Sequence, residues 1–132
     1  MENNIRYIEL KSGFSDKGPA WIGKVEFSKS GQTIYFNGKA FKKMTGTGFA
    51  YSDSANYYDL EEREGYWISG IKKNGQDRHW AGGGKIMIDR NIVNEYLSLV
   101  DFDRLDPNKY ELTDIKPTDK QKFNEIENKN IE

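Results

Sequence analysis

The dipeptide Asn37-Gly38 constrains this chain more than any other short stretch. It separates two runs of strand composition, Gln32–Phe36 and Lys39–Met44, and both of its residues tolerate the positive φ that a two-residue type I′ turn demands. A tight antiparallel hairpin follows, with its register set by the turn and not by a long loop.

Further strands are expected on either side of that hairpin. Arg6–Leu10 alternates, with Ile8 and Leu10 on one face and Tyr7 and Glu9 on the other. Ile22–Phe27 places Gly23, Val25 and Phe27 on one side, and Tyr57–Leu60 reads as a short strand ended by the acidic EEREG turn. Tyr66–Lys73 is a longer strand in which Gly70 marks a bulge or a close backbone approach. Arg78–Ala81 and Lys85–Ile88 complete the β portion. All 13 glycines lie between Gly13 and Gly84, and 15 of the 18 aromatic residues precede Val100. Aromatic side chains interleaved with glycine turns fit short, bent strands around a small core. The expected fold is therefore mainly β: a small antiparallel β-barrel-like domain of the SH3-like kind, with one packed helix and a polar tail.

The helix is expected at 90–100. Asp89 is placed to cap it, and Ile92, Val93, Tyr96, Leu97 and Val100 form one apolar stripe. Residues 1–100 thus read as a single globular domain and 101–132 as a polar appendage. Thr118 and Gln121 have capping-box spacing for a short helix at 119–128. Phe123 and Ile126 are its only apolar residues, so marginal docking is expected.

With 132 residues, 36% hydrophobic and 31% charged, the chain has the size and balance of one folded domain. The absence of cysteine excludes thiolate nucleophiles, iron–sulfur clusters and Cys-based zinc sites. No apolar run approaches the roughly 20 residues that cross a bilayer, and the segment MENNIRYIEL lacks a signal core, so a cytoplasmic location without membrane attachment is expected. The formal net charge of -1 gives no general attraction to nucleic acid, although seven lysines between 11 and 43 face only Asp16 and Glu26.

Candidate chemistry is sparse. His79, the only histidine, reaches catalytic use only with Asp77 or another acid beside it, in a hydrolase-like site. No second histidine supports a metal site, and no cofactor motif is present. Glu61, Glu62 and Glu64 read as ionised acids of a polar turn. Gly82, Gly83 and Gly84, followed by Lys85, offer backbone N–H groups and a cation to an anion, without Walker A spacing. Tyr57, Tyr58, Tyr66, Trp67 and Trp80 cannot all be core, because Tyr57/Tyr58 and Tyr66/Trp67 are adjacent pairs that point to opposite faces of a strand.

The stretches RYIELKSGFSDKGPAWIGKVEFSKSGQTIYFNGKAF, YYDLEEREGYWISGIKKNGQDRHWAGGGKIMID and NEYLSLV resemble a group of short, uncharacterised bacterial proteins over about residues 5–100. Some of that group carry the label 1-deoxy-D-xylulose-5-phosphate synthase. The resemblance implies a shared small fold. The enzyme label does not fit this chain, which lacks the GDG segment of a thiamine-diphosphate site and the length to enclose its separate cofactor domains.

These observations lead to an expected noncatalytic binding or interaction domain. Its ligand site would use Tyr58, Trp67 and Trp80 for ring contacts and Arg78, His79, Gly82–Gly84 and Lys85 for an anion, with a protein or a small anionic ligand as partner. A single-stranded nucleic-acid module and a small hydrolase-like enzyme built on His79 are the alternatives. Oligomeric state is left open.

Overall fold

The computed structural model describes residues 4–11, 18–43, 55–75, 77 and 84–130. Among the described residues there are nine strands: β1 (Ile5–Leu10), β2 (Ala20–Lys24), β3 (Glu26–Phe27), β4 (Thr33–Phe36), β5 (Lys39–Lys43), β6 (Tyr57–Asp59), β7 (Gly65–Gly70), β8 (Ile86–Asp89) and β9 (Tyr110–Thr113). They form one open, curled sheet in the order β3-β4-β5-β6-β7-β1-β2-β8-β9. Helix α1 covers Val93–Leu99 and helix α2 covers Lys120–Asn130.

The hairpin at the centre of the sequence argument is present. Asn37 and Gly38 have φ of 52° and 77°, and the register pairs Phe36 with Lys39 and Thr33 with Lys42. The strand expected at Ile22–Phe27 is broken at Val25, whose N–H donates to the carbonyl of Asn4 at 2.8 Å. That bond keeps Val25 with β1 and turns the chain, so Glu26 and Phe27 pair with β4 instead.

β1 alternates as expected. Ile8 and Leu10 enter one core with Val25, Ile34, Phe36, Phe41, Tyr66 and Ile68, and no described helix residue joins that cluster. On this side the curl of the sheet brings Phe36 of β4 close to Gly23 of β2. Tyr7 faces the other way, into a core with Ile22, Ile86, Ile88 and α1. Of the α1 stripe, Ile92, Tyr96 and Val100 are buried, while Val93 and Leu97 pack half-buried against them. Asp89 Oδ1 accepts from the Asn91 N–H at 3.0 Å, capping a 3-10 turn over Arg90–Ile92 that leads into α1.

Part of the sheet departs from the antiparallel expectation. β8 pairs in parallel with both β2 and β9. Parallel neighbours need a long crossover, and the stretch containing α1 supplies it between β8 and β9. Residues beyond Asp101, set apart by their polarity, thus contribute a sheet strand.

They also contribute a packed helix. Phe123 of α2 is fully buried against Tyr35, Ala40 and Leu60, on the face of β4 and β5 opposite the curled core. The cap of α2 is Asp119, whose Oδ1 accepts from the N–H groups of Gln121 and Lys122 at 3.1 and 3.3 Å. Thr118, the expected cap, is engaged elsewhere: its Oγ1 accepts from the Gly38 N–H at 2.9 Å. The close approach expected at Gly70 occurs at Gly23, because Gly70 ends its strand in open space.

Candidate functional site

The sheet register decides which predicted residues meet. Tyr58 pairs with Gly65, so Tyr58 and Trp67 share the outer face of β6 and β7. Trp67 pairs with Glu9, Glu9 with Ala20, and Ala20 with Ile86, one row across four strands. Trp67 is 38% exposed on that row. Beside it, buried Glu9 holds an ion pair to Lys11 at 2.8 Å and accepts a hydrogen bond from the Tyr7 hydroxyl. Pairing satisfies two charges that burial would otherwise penalise heavily.

Gly84 and Lys85 are exposed immediately before β8. Three strand spacings, about 14 Å, separate that strand from the one bearing Trp67. Tyr58 and Trp67 share one face, whereas it is Ile86 and not Lys85 that lies on the Trp67 row, so the register does not bring Lys85 to the two rings. Arg78, His79, Trp80, Gly82 and Gly83 lie outside the described residues. Asp77 accepts the Lys72 N–H through Oδ1 at 3.0 Å, while its Oδ2 is buried without a hydrogen-bond partner among the described residues. Burial raises the Asp77 carboxyl above its ordinary pKa, against the opposing pull of the Lys72 bond. The same desolvation raises the Tyr96 and Tyr110 hydroxyls, which meet at 3.0 Å.

A second aromatic and basic surface, which sequence reasoning did not single out, lies at the β3 edge. A cleft of about 530 Å³ is lined by Phe27, Ser28, Lys29, Ser30, Tyr35, Lys120 and Asn124. Phe27 is 38% exposed there, and the Arg6 guanidinium stands over its ring at 5.5 Å. Lys120 lies 5.7 Å from the Tyr35 ring centroid and 2.8 Å from Glu26. A neighbouring cleft of about 600 Å³ shares Tyr35 and adds Lys24 and Lys116, opposed by Glu26 and Asp89. Lysine enrichment in 11–43 was the available signal. It could not show that α2 would bring Lys120 and Asn124 to the same edge.

The acidic turn is more structured than a solvated run. Lys39 reaches Asp59 Oδ2 at 3.1 Å and Glu62 Oε1 at 2.9 Å, and Asp59 Oδ1 accepts the Glu61 N–H at 2.8 Å. Burial works against the Lys39 charge, but the bonds to Glu62 and Asp59 outweigh it and raise the ammonium pKa. Burial pushes the neighbouring Tyr66 hydroxyl up to about 12, with Lys39 opposing the rise.

No family model matches this chain, and no curated protein or solved structure matches it either.

Proposed function

We propose that this is a noncatalytic binding domain that docks an anionic segment of a protein partner in the cleft between β3 and α2. The observation that carries this reading is the exposed Phe27 ring, topped by Arg6 and set in a cleft that Lys29 and Lys120 also line. An exposed ring contributes a rigid apolar contact, and cations around it favour carboxylates or phosphates. Ser28, Ser30 and Asn124 add short polar groups that can orient such a ligand. We read the curled sheet as SH3-like in its use, a small β scaffold presenting rings and charges at one edge. The Tyr58–Trp67 face is a broader surface for the same partner.

The test is fluorescence anisotropy with a labelled acidic dodecapeptide containing one aromatic residue, alongside single-stranded DNA of similar length. Saturable peptide binding at low salt is expected, weakened about tenfold by Phe27→Ala and more by Lys29→Glu. Binding of DNA with a steep salt slope, in preference to the peptide, favours the nucleic-acid alternative. Absence of binding to either probe removes the reading.

A further inference from the structure

Among the described side chains of helix α2, Phe123 alone is buried. Phe123 is the buried side chain that anchors it, seated on Tyr35, Ala40 and Leu60 with Tyr58 at the margin. Around that anchor lie two ion pairs, Lys120–Glu26 at 2.8 Å and Lys122–Glu61 at 2.9 Å, all four side chains substantially solvent-accessible. Accessible ion pairs contribute little to stability, and an isolated helix of 11 residues with this polar composition is marginal in water. The surface beneath it has different support: Tyr35, Ala40 and Leu60 sit on or beside strands paired into the sheet, and Leu60 N–H bonds the Ala40 carbonyl at 3.0 Å. The described part of α2 thus covers an apolar depression with one buried ring and solvent-accessible charges.

We infer that α2 is a displaceable strap, and that the surface it covers is a docking site for an amphipathic helix from a partner protein. The chemistry of the partner follows from what already fits: one aromatic side chain for the depression, with lysine or arginine one and three positions before it to meet Glu61 and Glu26. The bonds from Lys116 N–H to Asn37 Oδ1 at 3.0 Å and from Gly38 N–H to Thr118 Oγ1 hold the base of the strap to the hairpin. They leave α2 itself free to exchange places with a competitor. This inference stands on the buried face and does not require the cleft beside Phe27 to bind an anion.

The experiment compares the wild-type chain with Phe123→Ala by amide hydrogen exchange and by binding of a labelled synthetic peptide of residues 117–132. In Phe123→Ala, amides of 121–130 are expected to exchange at least tenfold faster while those of β1 and β7 keep their protection. The peptide is expected to bind that variant at least tenfold more tightly than wild type, and the same peptide carrying Phe123→Ala is expected not to bind. A Lys120→Glu/Lys122→Glu double variant, which leaves the core intact, is expected to speed α2 exchange several-fold. Unchanged protection of α2 in both variants overturns the inference, as does simultaneous loss of β1 and β7 protection in Phe123→Ala, which would make α2 integral to the sheet. Release of α2 without peptide binding also overturns it. None of these readouts depends on the acidic probe that tests the β3 cleft.

Discussion

The ring of Phe36 on β4 packs against the backbone of Gly23 on β2, although four strands separate β4 from β2 in the sheet order. A Cβ on Gly23 would stand 2.7 Å from Phe36 Cε1. The curl of the sheet therefore depends on a missing side chain at one position and a large ring at another. Gly23→Ala is expected to destabilise the protein by about 1–3 kcal/mol, since Phe36 is buried and cannot swing into solvent. Adding Phe36→Leu should recover part of that loss. Urea unfolding of the two single variants and the double variant reads the coupling directly, and strict additivity would show that the contact has no energetic weight.

Thr118 and Gly38 make another long-range link, a hydrogen bond across 80 residues of sequence. Thr118→Ala leaves the Gly38 N–H without this acceptor and is expected to cost about 0.5–1.5 kcal/mol, with Thr118→Ser nearly neutral. Asp119→Ala removes the helix cap instead, and its cost of about 1 kcal/mol should appear as faster exchange in α2 while the Gly38 amide is unaffected. Exchange at Gly38 separates the two roles.

The cluster around Lys39 predicts opposing pH effects from two neighbouring acids. Hydrogen bonds to Lys39 and Glu64 hold the Glu62 carboxyl below its ordinary pKa, so its stabilising contribution is present above the unfolded value of about 4.3 and lost as pH falls through the folded value. Glu64 is raised, first by burial and then by its bond to Glu62 and the charge there. Its contribution is present below the unfolded pKa and lost as pH rises through the folded one, so at neutral pH its charge is unfavourable. Glu64→Gln is expected to raise stability at neutral pH by under about 1 kcal/mol, an advantage that disappears below about pH 4. Urea midpoints measured across that range check it. Lys39→Met is expected to destabilise at neutral pH by about 1–3 kcal/mol after allowance for solvent screening, because fully buried Asp59 loses its ammonium partner.

Local chemistry explains which of these features could be read from the sequence. Asn37-Gly38 announced its turn because few other dipeptides accept two consecutive positive φ values. The alternation of Tyr7 and Glu9 against Ile8 and Leu10, and the cap at Asp89, are likewise local. β9 was not legible, since among its four residues only Tyr110 is buried and its pairing depends on the crossover through α1. Thr118 has the spacing of a cap, but its oxygen accepts an N–H from the distant hairpin, and Asp119 caps the helix instead. Phe123 offered one apolar residue in a polar segment, and only the tertiary arrangement supplied the depression that receives it. The separation between Trp67 and Lys85 arises similarly, from β1 and β2 inserting between their strands.

Arg63 carries the most testable local strain. It closes the β6–β7 turn with φ 62°, its N–H donating to the Asp59 carbonyl at 2.8 Å, while the Asp59 N–H donates to Glu64 at 2.9 Å. Those two bonds fix a left-handed residue at this position, where a side chain is crowded by its own backbone and glycine is not. The Arg63 guanidinium stands 5.6 Å over the Tyr58 ring, an exposed contact that offsets the strain only in part. Arg63→Gly is expected to stabilise the protein by about 0.5 kcal/mol, relief of the turn exceeding both the lost ring contact and the added freedom of the unfolded chain. Arg63→Ala, which keeps the strain and loses the contact, is expected to destabilise by a similar amount. Paired urea denaturation curves at neutral pH distinguish the two, and a glycine variant less stable than the alanine variant would show that the side chain, not the backbone, holds this turn.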